Sequence, residues 1–273
     1  MSTPRSILLH VDSSARATER IRLARQLADE FDAGVIAQPC MLSSMARYPL
    51  ALEGASPAIA LMQEFDQACL DKAHAGFLQA AAGSSRLQWA EPLADGPHGF
   101  ARRALYADLM VLGQRDADDP AVGELPADFL PALLVQSGRP ALVLPHAGTI
   151  APVGRQVLVA WKETREAARA VSAALPWLQR ARQVHVLSYG EQAGTALRSI
   201  EPYLKAHGVS ATCHDGGPEP GDAGNQVLSR AADLGADLLA MGCYGHSRAR
   251  EWVLGGATRT ILQSMTLPVL MAH

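Results

Sequence analysis

The sequence predicts an α/β protein built from two tandem, doubly wound domains, and two observations carry that prediction. Short, near-continuous apolar runs alternate with stretches of helical periodicity, the pattern expected of βαβ crossovers and a parallel sheet covered on both faces. The whole pattern then occurs a second time in the same order. The first half opens with Ser6-Ile7-Leu8-Leu9-His10-Val11-Asp12 and closes with Arg139-Pro140-Ala141-Leu142-Val143-Leu144-Pro145-His146. The second opens with Gln156-Val157-Leu158-Val159-Ala160-Trp161-Lys162 and closes with Leu267-Pro268-Val269-Leu270-Met271-Ala272-His273. Duplication is the simplest account.

In the first half the apolar runs predict strands over 7–12, 35–42, 87–92, 109–113 and 141–144. A Pro-, Ser- and Met-containing insertion over 43–57, either a lid or a loop, precedes a helix over 58–82. The stretch 147–154 is rich in turn formers and poor in charge, so the domains are expected to span 1–148 and 154–273. In the second half Ala167, Ala170, Val171, Ala174, Leu175 and Leu178 share one helical face and place a helix after the opening strand. A strand over 183–189, a helix near 195–207, a strand near 209–214 and a helix near 221–234 follow. The apolar run 236–241 then supplies the strand that leads into a glycine loop.

Bulk properties exclude several function classes. At 273 residues the chain suffices for two domains with their own cores. A net charge of -3 and a pI near 6.3 supply no basic face, so nucleic acid is not an expected partner. Cys40, Cys69, Cys213 and Cys243 are widely separated, without the spacing of a zinc site or a disulfide framework. No apolar run approaches membrane-spanning length, and the reading is a soluble, cytoplasmic protein with no membrane partner. The nine histidines fit no Ser-His-Asp order, HExxH motif or metal spacing, so elaborate catalysis is not expected.

The richest motif is Gly242-Cys243-Tyr244-Gly245, followed by Gly255-Gly256-Ala257-Thr258. A strand that empties into a glycine loop and opens a helix aims backbone N–H groups and the positive end of the helix dipole at one spot, where glycines allow close approach. Phosphate is the natural guest; the alternative is that the glycines only shape turns. The first-half counterpart ends its glycine pattern at Gly113. There Asp116 stands where Gly245 does and Pro126 where Gly255 does, a carboxylate that repels phosphate and a residue without a donor.

The duplicated strand–helix order, the G-x2-G-x9-G spacing at Gly242, Gly245 and Gly255, and the closing Pro-Val-Leu strand resemble the universal stress protein family in its tandem two-domain form. The resemblance implies two five-stranded parallel sheets of order 3-2-1-4-5, with 141–144 and 268–271 in contact as the last strands are between single-domain members. It implies ATP, with Mg²⁺, as a cofactor. Gly242 and Gly245 then approach the phosphates, with Gly255 as the third glycine. The family usually places Ser or Thr after that glycine, where this chain has Gly256; Thr258 matches a second hydroxyl position. The family's Val-Asp-x-Ser pattern survives as Val11-Asp12-Ser13-Ser14, but its second-half equivalent is Trp161-Lys162-Glu163-Thr164.

The expected nucleotide-binding set is therefore Trp161, Lys162, Met241, Gly242, Gly245, His246, Gly255, Gly256 and Thr258, with Asp12 and Gly113 as a degenerate first-domain site. Several members have open alternatives. Trp161 either stacks on an adenine or belongs to the core, Lys162 either meets phosphate or leaves the nucleoside without its partner, and Asp12 either faces a nucleoside or caps a helix. Cys243, at the loop, is a reactive or an inert thiol. Three functions follow: a homodimeric stress-response protein binding an adenine nucleotide with little or no catalysis; a nucleotide-free scaffold of the same fold; and a carrier or enzyme for another phosphorylated or acidic small molecule, selected by Lys162.

Overall fold

The computed structural model describes residues 3–48, 56–93, 95, 97–148, 152–245 and 256–273. The chain forms two compact units, Pro4–Ser137 and Gly138–His273.

The first unit holds β1 (Ser6–Val11), α1 (Ala17–Phe31), β2 (Gly34–Pro39), α2 (Ser44–Arg47), α3 (Ser56–Ala81), β3 (Leu87–Trp89), α4 (Pro97–Ala104), β4 (Leu109–Gly113), a 3-10 turn (Pro120–Glu124) and α5 (Phe129–Gln136). Its strands are parallel in the order β3-β2-β1-β4. Ile7, Leu8, Leu9, Val11 and the run Leu109 to Leu112 are buried, because crossover helices cover both sheet faces. Helix α1 buries Ile21, Ala24, Leu27, Ala28 and Phe31, a stripe at helical spacing, and ends where Asp32 turns left-handed at φ 54°. Part of the 43–57 insertion is the single helical turn α2. Ser43 caps it by accepting from the Ala46 N–H at 3.2 Å, and Asp66 of α3 accepts from the Ser44 N–H at 2.9 Å.

The second unit holds β5 (Ala141–Leu144), β6 (Gln156–Ala160), α6 (Arg165–Leu178), β7 (Gln183–Ser188), α7 (Ala193–Ala206), β8 (Thr212–Asp215), α8 (Ala223–Asp233), β9 (Leu238–Gly242), α9 (Ala257–Ser264) and β10 (Val269–Ala272). Five strands are parallel in the order β8-β7-β6-β9-β10, which is 3-2-1-4-5 within this half. Strand β5 adds to the free edge of β10, antiparallel, with Leu142 opposite Leu270. This is the contact between closing strands that the resemblance implies. It also groups β5 with the second unit. Among the described residues, no helix is long and apolar enough to cross a membrane.

Candidate functional site

In the second unit β6 and β9 lie side by side, Ala160 against Met241, while β7 flanks one and β10 the other. The crossovers leave this pair in opposite directions, and open α/β sheets bind ligands outside the carboxyl ends of strands at such a switch point. A cleft of about 490 Å³ opens there. Its lining includes Trp161, Lys162, Met241, Gly242, Gly245, Gly256 and Thr258, which the fold brings together from three separate stretches of sequence. His246 and Gly255 fall outside the described residues.

Each side chain is placed for a local reason. Thr164 caps α6 by accepting from the Ala167 N–H at 3.3 Å, so the helix starts directly over the end of β9. A Cβ at Gly242 would lie 2.5 Å from the Ala167 nitrogen and 2.7 Å from the Glu166 carbonyl carbon. Glycine is required there by helix-on-strand contact. Neither Gly242 nor Gly245 has positive φ; the left-handed residue of the turn is Tyr244, at φ 55°. The Tyr244 N–H donates to Thr258 Oγ1 at 3.3 Å, which anchors the turn to α9 and leaves the buried Thr258 hydroxyl its own proton to donate. Gly256 is the N-cap of α9 and offers no side-chain cap, and the helix start lines the cleft through Ala257 and Thr258.

The polar walls contain residues that sequence reasoning missed. Glu166 has a side chain only 4% exposed, and its Oε1 accepts from Arg165 Nε at 2.5 Å. Its Oε2 stands 3.2 Å from where a Cβ on Gly245 would be. Burial works against ionisation of this carboxyl, but the hydrogen bond from Arg165 leads the opposing effects and holds it below the usual carboxylate range. The position at the start of α6 adds the favourable end of the helix dipole. Lys162 is paired with Glu219, Nζ to Oε1 2.8 Å, with side chains 53% and 56% exposed. Tyr189 also lines the cleft. Trp161 also lines the cleft; its backbone N–H donates to Leu187 O at 2.8 Å, while the indole Nε1 is buried without a partner. Cys243 is buried, 1% exposed, as part of the core. The one signal for Glu166 was an acidic residue in the first helical turn, which by itself says nothing about Gly245.

The first unit fills the equivalent place with its own side chains. Arg20 Nη2 meets Asp12 Oδ1 at 2.6 Å, and a Cβ on Gly113 would lie 2.4 Å from Arg20 Nη1. Asp12 and Gly113 are thus brought together, with a guanidinium laid over the glycine. Burial opposes the Asp12 charge, but Arg20 above all, with His10, holds its carboxyl well below the usual range. The same burial pushes His10 down to about 4. Glu124 accepts from the Ser13 N–H at 3.1 Å and from the Ser13 hydroxyl, so an internal carboxylate occupies the donors at the end of β1.

No family model matches the chain. Over 50 residues, 18% of this chain and 17% of the relative's length, it is 40% identical to a universal stress protein of Synechocystis sp.. In fold it is similar over 99% of its length to 96% of a universal stress protein from Archaeoglobus fulgidus DSM 4304, with a TM-score of 0.74 at 16% identity. A functionally unknown protein from Pseudomonas aeruginosa PAO1 matches 98% of the chain over 92% of its own, with a TM-score of 0.57 at 17% identity. The chain thus has the universal stress protein fold in its two-domain form, and its sequence resembles that family.

Proposed function

We propose that the protein is a stress-response protein that binds an adenine nucleotide, ATP with Mg²⁺, in the cleft of its second half. The observation that carries this reading is the convergence of Gly242, Gly245, Gly256 and Thr258 on one cleft of about 490 Å³ at the β6–β9 switch point. That volume lies in the range of small-molecule sites. The α9 start supplies backbone donors for phosphate, Trp161 and Tyr189 supply aromatic surface for a base, and Lys162 supplies a cation once it leaves Glu219. The first half serves as a partner domain whose own cleft is closed by Arg20, Asp12 and Glu124.

Thermal unfolding with and without Mg-ATP tests the reading. A ligand at ~100 times its dissociation constant stabilises the native state by roughly 2.7 kcal/mol. Gly245→Asp, which copies the first-half loop, is expected to abolish the shift. The engagement of Lys162 by Glu219 favours a second reading, a nucleotide-free scaffold of the same fold. Absence of any shift with ATP, ADP or AMP at millimolar concentration decides for the scaffold.

A further inference from the structure

Glu166 is the one carboxylate enclosed by the cleft walls among the described residues, since Glu219 stands half exposed at the mouth. It faces the very turn that the nucleotide reading assigns to phosphate. Its Oε2 is 3.2 Å from the Cβ position of Gly245, so the carboxylate borders that glycine. The Arg165 guanidinium bonds Oε1 from a side chain that is 74% exposed and is not among the described lining residues. Lys162, the cation among the described lining residues, is held by Glu219. A bare phosphate entering here would meet a like charge at the glycine turn. A divalent cation reverses the sign of that encounter. Mg²⁺ is ordinarily held by one or two carboxylates together with substrate phosphates, rather than by an all-protein cage, and a single carboxylate beside a glycine turn fits that description.

We infer that Glu166 makes nucleotide binding in this cleft conditional on a divalent cation, which its carboxylate and a phosphate of the nucleotide hold between them. This rests on the nucleotide reading above. The residue acts as a gate on ligand charge: it rejects free ATP and accepts the metal complex.

The test is a two-by-two titration calorimetry experiment: wild type and Glu166→Gln, each with ATP in excess Mg²⁺ and with ATP in EDTA. Glu166→Gln keeps the shape of the side chain and removes the charge, and its unliganded melting curve reports whether it folds. The wild type is expected to bind ATP at least tenfold more weakly in EDTA. In Glu166→Gln the ratio should shrink below about threefold, mainly because binding in EDTA improves. A second readout is the electron paramagnetic resonance of Mn²⁺ with ATP: wild type should retain the ion more tightly than ATP alone does, and Glu166→Gln should not. Equal ratios in both proteins, or Mn²⁺ retention unaffected by the substitution, would overturn the assignment while leaving nucleotide binding intact. No binding in any of the four arms would overturn the nucleotide reading itself, and the role of Glu166 with it.

Discussion

Arg20 Nη2 and Asp12 Oδ1 lie 2.6 Å apart with side chains 5% and 10% exposed, and the guanidinium of that pair covers Gly113. The position that ends the first β-strand with a carboxylate is thereby committed to an internal ion pair.

Removing one partner of such a pair leaves the other charge buried and unpaired. Arg20→Ala is expected to cost about 3–5 kcal/mol in urea unfolding, and Asp12→Ala a comparable amount. The double substitution should cost clearly less than the sum of the two, because neither charge is then orphaned. Additive costs would mean that the pair is not coupled.

The acid response should report His10. Its pKa falls from 6.5 unfolded to about 4 folded, chiefly because burial disfavours the imidazolium. Between those values the unfolded chain binds a proton that the native state does not, so stability is full above about 6.5 and declines as pH falls towards 4. The expected loss is about 3 kcal/mol across that window. His185 and His214, also lowered, add in the same direction. Chemical denaturation at a series of pH values should show the slope, and His10→Gln should flatten it in part.

Gly242 and Gly245 should separate packing from ligand contact. Gly242→Ala forces a Cβ into the backbone of Glu166 and Ala167, contacts that cannot swing aside. A loss of about 1–3 kcal/mol is expected, read from the urea midpoint. Gly245→Ala meets, among the described residues, the end of the Glu166 side chain at 3.2 Å and should perturb stability less than it perturbs nucleotide binding.

The Lys162–Glu219 pair is exposed and should contribute under about 1 kcal/mol to stability. Its effect on ligand affinity is different. Glu219→Gln frees the ammonium and should tighten ATP binding about two- to fivefold, the range that 0.5–1 kcal/mol spans. Lys162→Met should weaken ATP more than adenosine. Calorimetric titration of both ligands against both variants checks the pair of outcomes.

Much of the second-half cleft was legible before any coordinates, because its features are local. An apolar run bounded by Gly242 is a strand emptying into a turn, and Thr258 two residues past Gly256 is the start of a helix. Lys162 ends the opening strand wherever that strand sits in the sheet. The partners of these residues were not legible. Glu166 belongs to an ordinary first helical turn, and nothing in the spacing says that α6 crosses β9 closely enough to require glycine at 242. Arg20 likewise reads as one charge on an amphipathic helix, although it is 4% exposed.

By itself the sequence determined the strands, the helices, their duplication and the place where the loop opens, since periodicity and turn chemistry act over a few residues. Tertiary structure alone decided which charge faces which glycine. In the first half a guanidinium closes over Gly113, and in the second a carboxylate borders Gly245 in an open cleft. The physical reason is that burial and Coulomb interaction depend on distance in space, and the crossover helices set that distance between residues far apart in the chain.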